Sequence, residues 1–211
     1  MIWKIGLPAI CLLVCLPLFM YYKKSLQYAL GAMFKTCGTL CALIPALVAA
    51  LRLDPHCWIC VIALVLHAAA DYILEFNMYI GAGLFAAGHI CYIAFFTTLF
   101  PVSTLHMVCL ICLVALSAAI MWRWRQNIGK KMSLMAVYVG ILCVMCACAV
   151  GCFSGASTAG ILIACGGALF FVSDAMLCRR LFFSAPRPVD WAIMITYYCA
   201  QLLFGFSCLY I

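Results

Sequence analysis

The feature that most limits what this chain can become is a succession of long, uncharged apolar runs. They fall at about 5–21, 28–51, 57–75, 79–100, 104–122, 132–152, 157–178 and 189–211. Each is close to the ~20 residues that carry a helix across a bilayer. The runs are continuous, without the in/out alternation of a membrane barrel, so helices are the only spanning structure they allow. The breaks have local causes: Lys23-Lys24-Ser25, Arg52 to Pro55, Phe76-Asn77, Pro101, Arg123 to Lys131, Ser154-Gly155 and Arg179 to Pro188. With 70% of 211 residues hydrophobic and 8% charged, too few polar side chains exist to cover a soluble surface. A soluble domain, a disordered chain and a nucleic-acid module are thereby excluded. The expectation is an all-α polytopic membrane bundle of about eight transmembrane helices, forming one integral membrane domain over 1–211.

The first run follows Lys4, as in a secretory leader. No small-x-small cleavage site follows it; it ends in Leu18-Phe19-Met20-Tyr21-Tyr22 before Lys23-Lys24, so it is expected to stay as the first span. The basic residues orient the bundle. The loops after spans 1, 3, 5 and 7 share one side and hold Lys23, Lys24, Arg123, Arg125, Lys130, Lys131, Arg179, Arg180 and Arg187. The other side has Lys4 and Arg52, and Lys35 lies within a span. This asymmetry predicts both termini on the non-cytoplasmic side. Tyr21, Tyr22, Trp122 and Trp124 read as an interfacial belt.

Seventeen cysteines suggest a disulfide scaffold only where loops carry them. Here they lie inside apolar runs, where cysteine acts as a small polarisable hydrophobe. The CxxC pairs Cys57/Cys60, Cys109/Cys112 and Cys143/Cys146 lack the knuckle or strand–helix setting of zinc and redox sites.

Ionisable groups inside a membrane helix are costly and are candidates for function. Asp71 lies near the end of span 3, Asp174 near the end of span 7, Lys35 two turns into span 2, and His89 in mid-span 4 with Tyr92 following. Tyr138 is early in span 6, and Tyr197, Tyr198 and Gln201 are in span 8. At ~1.5 Å per residue, the aspartates lie ~6 Å, Lys35 and Tyr138 ~10 Å, and His89 and Tyr197 ~12–15 Å from the basic end. Helices of both directions place their polar residues in one leaflet, which favours a cavity open to that side. The bland alternative lets Asp71 and Asp174 reach interfacial water or basic neighbours such as Arg179, and makes His89 an interhelical hydrogen bonder. Glu75, at the very end of span 3, reads as solvated.

Lys35 precedes Asp71 by 36 residues, and Tyr138 precedes Asp174 by 36, an offset of 103 between the pairs. A 4+4 parallel pseudo-repeat and coincidence both accommodate this spacing. A true repeat sets the two aspartates facing each other across a pseudo-axis.

These residues resemble the YhhN family, which includes the lysoplasmalogenases. The resemblance runs from Lys35 to about Gln201. It comprises Lys35-Thr36; Ala70-Asp71; Gly81, Phe85, His89 and Tyr92; Val137-Tyr138 with Met145; Gly167, Ala168, Phe171, Ser173 and Asp174; and Tyr197 or Tyr198 with Ala200, Gln201 and Leu202. The chain departs from the family pattern in carrying His67 for a serine and Ala70 for a glycine. His67 and Asp71 share a helix face at i and i+4, which lets them interact.

The resemblance implies hydrolysis of the vinyl ether bond of a lysophospholipid drawn from the bilayer. Protonation of the β-carbon and capture of the oxocarbenium ion by water need one protonated carboxyl and one carboxylate, the division of labour seen in glycoside hydrolysis. Asp71 and Asp174 are the expected pair, with acid and base unassigned between them. Lys35 is expected to hold the ionised partner or meet the lipid phosphate. His67, His89, Tyr92, Tyr138, Ser173, Tyr197, Tyr198 and Gln201 are expected to orient water or substrate. No metal, cofactor or nucleic acid is expected, since His56 and His106 lie at the opposite ends of their spans and leave too few zinc ligands. A small-molecule, lipid or proton-coupled carrier is the competing reading of the same intramembrane charges. The predicted orientation is checked by an impermeant label on terminal tags: both react only from the non-cytoplasmic face, and reaction only from the cytoplasm overturns it.

Overall fold

The computed structural model describes residues 2–184 and 186–211. The side chains of Ile2, Trp3 and Arg187 are outside that description, so Arg187, counted above at the basic end, is placed only by its backbone. The first span, α1, is one continuous helix: Ile2–Ile10, a π-helical stretch Cys11–Cys15, and Leu16–Lys24. Seven more helices follow: α2 Tyr28–Arg52, α3 Cys57–Leu74, α4 Met78–Leu99, α5 Thr104–Ile128, α6 Met132–Gly151, α7 Thr158–Phe182 and α8 Arg187–Ser207. Helical continuity joins α5 and α6 into a single 52-residue stretch, 104–155, so seven stretches qualify as spans by length and composition. That stretch is about twice what one crossing needs, and α5 packs back on α6. The eight predicted segments are therefore all present as helices.

The starts of the helices have sequence causes. The Asn77 side chain accepts from the backbone N–H groups of Tyr79 and Ile80 at 3.0 and 3.1 Å, capping α4. Ser103 and His106 form a reciprocal cap at the start of α5, and Ser157 accepts from Gly160 at 3.0 Å at the start of α7. Two ends lie beyond the predicted runs. The charges at Arg123–Arg125 and Arg179–Arg180 end the apolar runs but not the helices, because a charge marks the interface without disturbing backbone hydrogen bonding. The helices stop at backbone signals instead: Gly129 at φ +58° after α5, and extended Phe183 after α7. Pro45 stays within α2.

Packing repeats between the two halves. Neighbours in sequence pack pairwise, α1·α2, α2·α3 and α3·α4 in the first half, and α5·α6, α6·α7 and α7·α8 in the second. Across the halves, α2 packs on α8 and α6 packs on α4. Each of these contacts maps onto another when α1–α4 are exchanged with α5–α8, the pattern of a parallel pseudo-two-fold, while α8 also touches α3 and α1 without a comparable counterpart in the other half. His67 and Phe170, which correspond at the 103 offset, touch with ring centroids 5.7 Å apart and so lie by the axis.

Without water to drive them together, membrane helices associate through close packing at small residues. On α2 the fully buried Ala42, Ala46 and Ala49 serve this role, and Gly205 of α8 lies against the Ala42 backbone carbonyl. A Cβ at Gly205 meets that backbone, which cannot yield, whereas Gly140 faces open space. Gly205→Val is therefore expected to lower thermal stability in detergent by about 1–3 kcal/mol, with Gly140→Val near wild type; equal melting of the two variants refutes this packing.

Candidate functional site

At the basic end of the bundle the helices part around a cavity of about 640 Å³, lined by residues of every helix except α5. Its walls are largely apolar, with Phe19, Met78, Phe85, Leu134, Leu177 and Met194 among them. Asp71, Asp174, Lys35, Tyr138, Ser173 and Tyr197 also line it, and Lys23, Lys131 and Arg180 stand nearest the basic loops.

Asp71 is fully buried on α3. Its Oδ2 accepts from the Thr39 hydroxyl and, at 2.8 Å, from the Tyr197 hydroxyl. Its Oδ1 makes no hydrogen bond and lies 3.6 Å from the Lys35 ammonium. Lys35 in turn donates to Glu75 at 3.3 Å, and Glu75 approaches Lys23 at 4.0 Å. A ladder of alternating charge thus climbs from the buried carboxylate to the exposed Lys23. Glu75 is not the solvated residue the sequence suggested: its side chain is 12% exposed and pairs with Lys35. The reason is its position one turn beyond Asp71 on the same face of α3.

Asp174 has different company. Its Oδ2 lies 2.7 Å from the Tyr138 hydroxyl, and no cation pairs with it among the described residues. Arg179 is not its partner; the nearby ion pair joins Arg180 to Asp190 at 2.9 Å. Positions that correspond in the two halves therefore both serve an aspartate 36 residues on, one as a cation and the other as a phenol.

Five of the candidates lie behind the cavity. The His67 ring Nδ1 is 2.8 Å from the Ala63 carbonyl, and its Nε2 is 3.3 Å from His89 Nδ1. His89 Nε2 reaches the Tyr138 hydroxyl at 3.3 Å. The i, i+4 interaction of His67 with Asp71 does not form; the histidine turns toward α4 and is seated against Gly88, where a Cβ would strike the ring. Tyr92 donates to Gln201 at 2.6 Å, leaving the Gln201 amide nitrogen buried without a partner. Tyr198 donates to the Lys35 backbone carbonyl at 3.0 Å, fixing α8 on α2. Ser173 lines the cavity, but its hydroxyl is committed to the Ile193 carbonyl at 2.9 Å.

Sequence reasoning missed Thr39. It stands one turn after Lys35 on α2, and that i+4 relation to a suspected functional residue was the available signal. All seventeen cysteines are free thiols. Among the described residues no three His, Cys, Asp or Glu side chains converge as metal ligands.

No curated protein matches the chain, and no solved structure does. The family model described as the YhhN family matches residues 30–208, a stretch that holds both aspartates, Lys35, Thr39, Tyr138 and Tyr197. The chain belongs to the YhhN family.

Proposed function

We propose that this protein is a membrane-embedded ether hydrolase that cleaves the vinyl ether bond of lysoplasmalogens, releasing a fatty aldehyde and glycerophosphoethanolamine or glycerophosphocholine. The observation that carries this reading is two intramembrane carboxyl groups on one apolar-walled cavity. A volume of about 640 Å³ suits a single-chain lipid, being within the ordinary range of small-molecule sites. The apolar walls take the alkenyl chain, and Lys131 and the loosely paired Lys23 offer the phosphate its counter-charges, with Arg180 held by Asp190 at 2.9 Å. Lys35 is already committed to Asp71 and Glu75. The orientation that goes with this reading places the cavity mouth at the cytoplasmic leaflet, with both termini on the opposite side.

The chemistry balances with water as the only co-reactant. A protonated carboxyl gives its proton to the β-carbon of the vinyl ether, and the C=C π electrons form the new C–H bond. The resulting oxocarbenium ion is stabilised by the neighbouring carboxylate, which also takes a proton from the water that attacks the cationic carbon. The hemiacetal then collapses, its hydroxyl proton passing to the departing glycerol oxygen as the aldehyde C=O forms. The proton taken from water then passes from the second carboxyl back to the first through water in the cavity, so both groups return to their starting states.

The test is aldehyde release by detergent-purified protein from 1-alkenyl lysophosphatidylethanolamine beside its 1-acyl and 1-alkyl analogues. Only the alkenyl lipid is expected to yield aldehyde, and Asp71→Asn and Asp174→Asn are each expected to lower kcat by about 10²–10⁴-fold. Folded protein that is silent on all three overturns the reading and leaves the carrier. Lys131 has no ion pair among the described residues. Lys131→Ala is expected to raise KM roughly two- to fivefold with kcat unchanged, as for an exposed charge contact; an unchanged KM removes Lys131 from phosphate binding.

A further inference from the structure

The buried chain behind the cavity contains more contacts than its neutral members can supply hydrogens for, and this decides which aspartate is the acid. Four contacts run in series: Ala63 carbonyl to His67 Nδ1 at 2.8 Å, His67 Nε2 to His89 Nδ1 at 3.3 Å, His89 Nε2 to the Tyr138 hydroxyl at 3.3 Å, and that hydroxyl to Asp174 Oδ2 at 2.7 Å. Each contact needs one hydrogen. The carbonyl at the far end supplies none, a neutral imidazole supplies one, and the phenol supplies one. Two neutral histidines and Tyr138 thus provide three hydrogens for four contacts.

The polarity follows from the fixed end. The Ala63 carbonyl only accepts, so His67 carries its hydrogen on Nδ1 and accepts at Nε2. His89 then donates from Nδ1 and accepts at Nε2, and the Tyr138 hydroxyl donates to it. The phenol oxygen is left as an acceptor toward Asp174, and the fourth hydrogen belongs on the carboxyl group. Placing it on a histidine instead makes a fully buried imidazolium behind the cavity, with the carboxylate on the far side of Tyr138. His67 and His89 are both 0% exposed, and neither has a carboxylate as a direct hydrogen-bond partner. Separated buried charges of this kind are strongly disfavoured.

We infer that the Ala63–His67–His89–Tyr138 chain holds Asp174 as the protonated carboxylic acid, making Asp174 the general acid and Asp71 the carboxylate of the pair. This rests on the hydrolase reading for the roles, but not for the protonation state. Asp71 shows the complementary pattern, with two hydroxyl donors on one oxygen and the Lys35 ammonium beside the other. His67 and His89 are positioning residues: they lie outside the cavity lining and act through Tyr138. The ring of His67 is held in register by Gly88 and by edge-on packing of Phe85 and Phe170, at 5.2 and 5.7 Å. The titratable groups around Asp174 are Tyr138 and Cys146 of α6, Cys178 of its own helix, Asp71 of α3 and Lys35 of α2. Of these, only Tyr138 is hydrogen-bonded to it.

Infrared difference spectroscopy tests this without substrate, by the C=O stretch of a protonated carboxyl group at neutral pH. The band is expected in the wild type and in Asp71→Asn, and is expected to vanish in Asp174→Asn. A band that vanishes in Asp71→Asn instead, or no band at all, overturns the assignment. Should Asp174→Asn fail to fold, Tyr138→Phe keeps the carboxyl and removes its acceptor, so the band must shift in frequency; an unmoved band refutes the contact. The role of the chain is read by rescue. His67→Gln retains a donor for Ala63 and an acceptor for His89 and is expected to keep the band. His67→Leu releases the polarity of the chain and is expected to weaken it. Identical spectra from the two His67 variants show that the chain does not set the proton. Because none of these readings uses the lipid, a failed aldehyde assay and a failed proton assignment remain separate results.

Discussion

A carboxylate buried in a membrane bundle must collect its donors from the protein, and the Asp71 carboxylate does so from two neighbouring helices. Thr39 and Lys35 reach it from α2 and Tyr197 from α8. In hydrocarbon an unsatisfied charge is so costly that these contacts constrain the rotation of each helix about its axis. Tyr198, the neighbour of Tyr197, is thereby turned onto the Lys35 carbonyl, and the small residues Gly38 and Gly205 sit where α2 and α8 must approach closely. Site and interface are one construction: α2 and α8, which pack on each other across the halves, are the helices that reach the carboxylate.

The two halves of the bundle share a scaffold and differ in what they put on it. A residue on the second helix of each half meets an aspartate on the third, 36 residues later. In the first half that residue is Lys35, a cation; in the second it is Tyr138, a phenol with a histidine at its back. This difference, together with the Thr39 and Tyr197 hydroxyls on Asp71, gives the two corresponding carboxyls unlike surroundings.

Much of this was legible in the sequence, because the bilayer imposes simple rules. Apolar length fixed the eight helices, and the rarity of charge within them exposed Asp71, Asp174 and Lys35 as candidates. Their grouping at one depth anticipated a cavity at one end. The 36-residue spacing was visible too, although only the exchange of packing partners separates a repeat from coincidence. What stayed hidden depended on helix rotation. Thr39 is an ordinary membrane residue until α2 turns it to Asp71, and Glu75 looks solvated until the ladder from Lys35 draws it inward. His67 shares a face with Asp71 on paper, but Gly88 leaves room on α4 for the ring and the Ala63 carbonyl captures it. Helix ends at Ile128 and Phe182 were misjudged for a related reason: charge reports the membrane surface, and backbone geometry reports the end of a helix.

The even number of spans in each half carries a consequence for ancestry. A four-helix unit begins and ends on the same side of the membrane, so joining two copies through a link as short as the segment from Phe100 to Ser103 inverts neither. Each half carries basic residues in its own loops. Because α4 nests on α6 and α8 on α2, the same pair of helix faces joins the halves twice, which is the geometry two copies of one four-helix unit would have on pairing.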